Sequence, residues 1–313
     1  AIALLLRQCE QAAQPEQLRL VIARHQAEGF FRSIAVAAEL RGLRRQQQRQ
    51  RIAGRDLPGL FSITLRRADI AGLARRAIAR SNLRVAVVGD ISAEELGKRL
   101  DAVFGTLPAT ATLVPVPQVE PQKIGTVEVI PLDVSQSVVV MGTGGLERRD
   151  PDFIPAFVLN HILGGSAFSS RLFKEVREAR GLAYSVYSYQ VALGHTGLWF
   201  AGTATKNERA GESIAIITDE FRKILKDGPS QTELDEAKSY LVGSYALRFD
   251  TSSKVAGQLL QIQLDELGID YVDRRNALIG AVTLDDLKRV AARLATARDA
   301  LVVVVGKPVG LGG

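Results

Sequence analysis

Thr283-Leu-Asp-Asp-Leu-Lys-Arg-Val leads to Ala300-Leu-Val-Val-Val-Val-Gly306, just as Thr64-Leu-Arg-Arg-Ala-Asp-Ile-Ala leads to Leu83-Arg-Val-Ala-Val-Val-Gly89. One helix-to-strand unit is written twice, about 218 residues apart. At 313 residues the chain is long for a single core. The repeat therefore predicts two related domains of α+β class, each holding one copy of the unit.

A boundary lies between Leu107 and Gln122, where prolines and threonines replace any helical period. We place the first domain at 1–112, a proline-rich linker at 113–122 and the second domain at 123–313. About 183 residues precede Gly306 in the second domain, but only 88 precede Gly89 in the first. The first domain is thus expected to be incomplete by roughly 95 residues relative to its sister. Either it is naturally reduced or the chain begins part-way through it.

Residues 1 to about 50 read as helical, with Pro15 in a first turn and Leu18, Val21 and Ile22 as an apolar stripe. Asp56-Leu-Pro-Gly59 reads as a turn. A helix is expected from Thr64 to about Ala79, a buried strand over Leu83–Gly89, and a helix capped by Ser92 that carries Leu96, Leu100 and Phe104. The second domain should hold strands at 125–132, 137–142, 197–205 and 300–306. Its helices are expected near 152–163, 210–227, 231–248, 253–267 and 284–295.

The net charge of +6 is unevenly placed, with 18 Lys+Arg against 10 Asp+Glu in residues 1–112 and a slight acidic excess after that. Its densest run, Arg41–Arg51, contains no aromatic residue to stack on bases, so it reads as a solvated face and no nucleic-acid partner is expected. Cys9 is alone and cannot form an internal disulfide. No apolar run approaches the roughly 18 to 20 residues that span a bilayer. Ala1–Leu6 has neither a basic leader nor a cleavage site and reads as helix interior rather than signal peptide. The arginine-rich, lysine-poor first part points to a bacterial protein from a GC-rich genome, with periplasm and cytoplasm both open.

The stretch Gly164–Gln190 holds the chemistry. Glycines and serines break and cap a helix, Leu172, Val176 and Ala179 form one apolar face, and Gly181 stops the helix. Small, β-branched and aromatic residues from Leu182 to Tyr189 then read as a strand. Arg177 falls near the helix end and Tyr184 near the strand start, so a short turn can fold both toward one cleft. On residue types alone the plainer reading is favoured, with Arg177 paired to a helix carboxylate and Tyr184 a sheet aromatic.

The Val-Val-Gly-Asp strand end, the proline linker, and Leu-Gly-Gly-Ser-Ala-Phe-Ser-Ser-Arg-Leu-Phe-Lys-Glu-Val-Arg followed by Gly-Leu-Ala-Tyr-Ser-Val together resemble the pitrilysin-type zinc peptidases. This is the insulinase and mitochondrial-processing-peptidase group, and the likeness is to its small bacterial two-domain members, over Thr64–Gly306. The resemblance implies a duplicated fold in which each domain is an antiparallel-rich sheet packed with helices. It also implies an inverted HxxEH motif in the metal-binding domain, two histidines holding zinc and a glutamate activating water, with a distant glutamate as third ligand.

That motif does not occur here. The histidines are His25, His161 and His195, and none has another histidine four residues away. By the domain repeat, the helix bearing Phe157 to His161 corresponds to the motif helix, with Phe157 and Asn160 where a ligand and the base would stand. His161 therefore reads as a packed or partly exposed helix residue, and His195 as a turn residue. Glu28 aligns loosely with the distant ligand and reads as an exposed helix glutamate. No metal or cofactor is expected in this chain.

In this family the second domain contributes an Arg and a Tyr seven residues apart, which reach the zinc of the partner domain. By resemblance Arg177 and Tyr184 take those roles and hold the oxyanion; Arg180, Tyr187 and Tyr189 lie outside the motif positions. The expectation is a zinc-free subunit of a heteromeric zinc metallopeptidase, not catalytic alone. Its partner would be a catalytic HxxEH-bearing subunit holding the zinc, in a heterodimer or heterotetramer around a chamber that takes peptide substrate extended by strand addition. Two alternatives stay open: part of a single-chain zinc peptidase whose HxxEH segment lies outside this sequence, and a non-enzymatic scaffold of the same fold.

Overall fold

The computed structural model describes residues 67–122, 125–295 and 299–311. The expectations for residues 1–60, including His25, Glu28 and the Arg41–Arg51 run, lie outside these residues. In chain order the helices are α1 (Arg67–Ala77), α2 (Ala93–Phe104), α3 (Phe153–Asn160), α4 (Ala210–Asp227), α5 (Gln231–Gly243), α6 (Ser252–Leu264), α7 (Tyr271–Ala281) and α8 (Leu284–Leu294). The strands are β1 (Val127–Pro131), β2 (Gln136–Gly144), β3 (Ala183–Ala192), β4 (Gly197–Lys206) and β5 (Leu301–Gly306). By contacts the chain divides into two compact units. One takes the described residues up to Pro115 together with Asp250–Glu266; the other takes Val116–Phe249 and the residues from Leu267 onward.

In the first unit Ser92 caps α2, its hydroxyl accepting from the Glu95 N–H at 3.2 Å. Leu96, Leu100 and Phe104 are half-buried along one side of that helix. The segment after α2 folds back on the end of α1, where Arg80 and Ser81 N–H groups donate to Pro108 and Ala109 carbonyls and Thr112 N–H donates to Arg76. Leu83–Gly89, expected as a buried strand, joins no ladder among the described residues, and Val87 and Val88 are exposed. The reason is visible in its repeat. β5 lies between β1 and β2, and both supply its hydrogen bonds; no described strand flanks 83–89, and apolar content alone does not make a strand.

The second unit is built on one five-stranded sheet in the order β1-β5-β2-β4-β3, antiparallel except for the β1–β5 pair. Alternation along the strands sends Val139, Met141, Trp199, Ala201, Val302 and Val304 to one face, all buried. Against them pack Leu159 of α3, Ile217 and Ile224 of α4, Leu234 and Leu241 of α5, and Leu287, Val290 and Leu294 of α8. Burying each such side chain contributes about 1.5 to 3 kcal/mol, which fixes the sheet against this helical layer. α8 is entered through a capping box between Thr283 and Asp286.

Two local readings are corrected. α7 escaped notice because one of its buried positions is Arg275, whose guanidinium lies 4.1 Å from the Tyr245 ring centroid and donates to the Leu241 carbonyl. Ala179, assigned to the apolar face with Leu172 and Val176, is exposed while those two are fully buried. Phe173–Glu178 is wound as a π-helix, shown by the Ala179 N–H donating to the Lys174 carbonyl five residues back. The wider turn carries Ala179 off the face that an α-helical period assigns to it.

Candidate functional site

Arg177 and Tyr184 are brought together at a place where both elements depart from regular geometry. Arg177 projects from the π-wound segment, and Tyr184 stands in an irregularity of β3, between the paired positions Ala183 and Val186. A bulge of this kind leaves residues out of the ladder and re-aims their side chains. Threonines of β4 fasten it: the Thr205 hydroxyl donates to the Leu182 carbonyl at 2.6 Å and the Thr203 hydroxyl to the Ser185 carbonyl at 2.9 Å. Between the two elements Gly181 adopts φ +59°, the left-handed turn that its sequence position predicts. Its N–H donates to the Arg177 carbonyl, and the Leu182 N–H to that of Val176.

The Arg177 guanidinium carbon lies 4.5 Å from the Tyr184 ring centroid and 4.8 Å from that of Phe173. Phe173 is buried, and the exposed Phe168 meets it edge-on at 5.3 Å. Among the described residues, no carboxylate or carbonyl accepts from the Arg177 guanidinium, and nothing bonds to the Tyr184 hydroxyl. Glu175, two residues before Arg177, is taken by Arg180, which also donates to the Glu175 carbonyl. Tyr184 is 83% exposed, so the pair stands on the surface of its unit.

The start of this segment is anchored by Arg171. Its guanidinium meets the two Glu233 oxygens at 2.6 and 2.8 Å and the Gly228 carbonyl at 3.2 Å. Burial works to raise the Glu233 carboxyl, but the Arg171 guanidinium and the Ser230 N–H and hydroxyl outweigh it and bring it down to about 2. The same carboxylate closes the capping box of α5.

The positions expected from the domain repeat to match a metal motif hold other interactions. Asn160 Oδ1 accepts from the Trp199 indole N–H at 2.7 Å and from the Ser188 hydroxyl at 2.8 Å, a buried network joining α3 to β3 and β4. His161 is buried, stacked on Tyr240 with centroids 5.1 Å apart, and burial lowers its pKa. Phe157 packs against the core. A divalent ion needs several converging donors, and among the described residues no three His, Cys, Asp or Glu side chains converge in that way, so these residues do not fit zinc. No described helix is long and apolar enough to cross a membrane. Tyr187 and Tyr189 lie together on the opposite sheet face with Phe200, and His195 sits in the turn between β3 and β4.

Phe173 escaped the sequence reading. Its spacing of four from Arg177 was the available signal, since residues at that separation are neighbours on a helical surface.

Residues 64–241 match the family model described as the peptidase M16 inactive domain. An uncharacterised zinc protease of Streptomyces coelicolor is 32% identical over 230 residues, 72% of this chain and 50% of that protein. The non-peptidase homolog YmxG of Helicobacter pylori is 30% identical over 176 residues, 55% of this chain and 40% of that protein. Among solved structures, the peptidase M16 inactive domain from Pseudomonas fluorescens aligns with a TM-score of 0.71 at 29% identity, covering 80% of this chain and 59% of that one. The chain spans about half the length of the curated relatives it matches.

Proposed function

Because the chain belongs to the peptidase M16 inactive-domain family, we propose that it serves as the zinc-free half of a peptidase, lending Arg177 and Tyr184 to an active site whose metal is held by an HxxEH-bearing partner. The observation that carries this reading is the Arg177–Tyr184 stack, with its guanidinium and phenol donors unengaged by any described residue. When water attacks a peptide carbonyl, the oxygen takes up negative charge. A guanidinium and a phenol can each donate a hydrogen bond to it, and such donors count for most where water is excluded. Exposure of Tyr184 on its own unit fits a site that is closed by another surface.

β3 is the last strand of its sheet among the described residues, and an extended peptide can be added at such an edge by main-chain hydrogen bonds. Substrate is therefore read as an extended peptide, and the assembly as a heterodimer or heterotetramer. Purification from the native source with mass analysis of co-eluting chains tests it. An HxxEH-bearing partner should appear and should cleave peptides in a zinc-dependent way only when mixed with this chain. A chain that elutes alone, or a partner equally active without it, overturns the reading.

A second reading places both halves in one polypeptide. The zinc-protease relative is about twice the length of the matched region, which favours it. Under this reading Arg177 and Tyr184 keep the same chemical role, and the residues encoded ahead of Ala1 would contain HxxEH.

A further inference from the structure

We propose that Phe173 is the positioning residue for Arg177, holding its guanidinium against Tyr184 with the N–H groups directed outward. An arginine has long rotamer freedom, and this one has no ion pair or hydrogen bond among the described residues to restrict it. What it touches is two rings. Of these, Tyr184 is 83% exposed and offers a loose support, whereas Phe173 is 6% exposed and fixed. Phe173 lies between Leu172 and the turn bearing Val176, both fully buried, and Phe168 covers it edge-on. The anchored ring is the one that can set where the guanidinium rests.

The chemistry suits that task. A guanidinium presents its flat face to a ring and its five N–H donors in the plane, so stacking leaves the donors available. An ion pair would consume them. Arg180 illustrates the contrast, since three residues further on it is committed to Glu175. The π winding of Phe173–Glu178 places both residues on one side of the chain, four apart, with Tyr184 returning across the Gly181 turn.

This rests on the reading of Arg177 as a donor, but it is tested on the arginine itself, so the two can fail separately. In the full chain labelled with ¹⁵N-arginine, the Arg177 Nε–Hε signal is identified by its loss in Arg177→Lys. Ring currents should displace its proton upfield of those of exposed arginines. Phe173→Leu should abolish most of that displacement, with the fold confirmed by circular dichroism, while Phe173→Tyr, which keeps a ring, should retain it. Phe173→Met carries the same expectation as Phe173→Leu should the leucine variant fail to fold. An Arg177 signal unmoved in a folded Phe173→Leu or Phe173→Met variant overturns the proposal. Loss of peptidase complementation by itself would bear only on the functional reading.

Discussion

Arg177 and Tyr184, seven residues apart in the chain, meet with the guanidinium carbon 4.5 Å from the ring centroid. Neither lies in a regular element: one rides a π-wound turn and the other a strand irregularity. Their meeting depends on the short return between them, which in turn depends on a backbone conformation that few residues adopt.

Gly181→Ala tests that return. A Cβ at this position meets no atom within 4 Å, so the cost is conformational rather than steric. At φ +59° alanine should lower stability by about 1 kcal/mol, and Gly181→Asn should cost less because asparagine tolerates the left-handed region. Urea denaturation of the two variants checks the order.

Asn160→Ala should be more damaging. It strands the buried Trp199 indole N–H at about 1 to 3 kcal/mol and leaves the Ser188 hydroxyl only a long, 3.5 Å contact to the Asn160 carbonyl at about 1 kcal/mol, so a loss of about 2 to 4 kcal/mol is expected. Equilibrium unfolding followed by Trp199 fluorescence measures it, and the native emission should also shift as the indole loses its acceptor.

Much of this fold is legible in the sequence because its elements obey their periods. Alternation along β2 and β4 and the 3.6-residue pattern of α4 and α8 follow from one face meeting a core. Where the geometry departs from those periods the reading slips. The π winding displaces Ala179, a buried arginine hides α7, and Leu83–Gly89 carries a strand's composition without a partner strand among the described residues. Arg177 and Tyr184 stand out by motif resemblance, not by periodicity, whereas Phe173 lies inside the same stretch and only its spacing of four from Arg177 marks it as the ring beside the guanidinium.

Glu233 gives the unit an acid-sensitive clamp. Its carboxyl is depressed from 4.5 to about 2, so the stability it contributes is present above its unfolded pKa and is lost as pH falls through the folded value. Stability should therefore decline between about pH 4.5 and pH 2. Glu233→Gln should remove that part of the decline and cost about 2 kcal/mol at neutral pH, because Arg171 is left partly buried without its counter-charge. Unfolding free energies measured across this range compare the two proteins.

Tyr184→Phe should leave stability within about 0.5 kcal/mol of the parent, since the phenol is exposed and bonded to nothing described. Thermal denaturation checks this, and it qualifies the variant as a probe of function rather than of folding.

The most direct test mixes this chain with the proposed HxxEH-bearing partner and measures zinc-dependent peptide cleavage with the parent, Arg177→Ala and Tyr184→Phe chains. Each variant should lower turnover by about 100- to 1000-fold with the complex still assembled, the loss expected for one oxyanion donor. Turnover unchanged by both substitutions would contradict the assignment of the pair to the reaction.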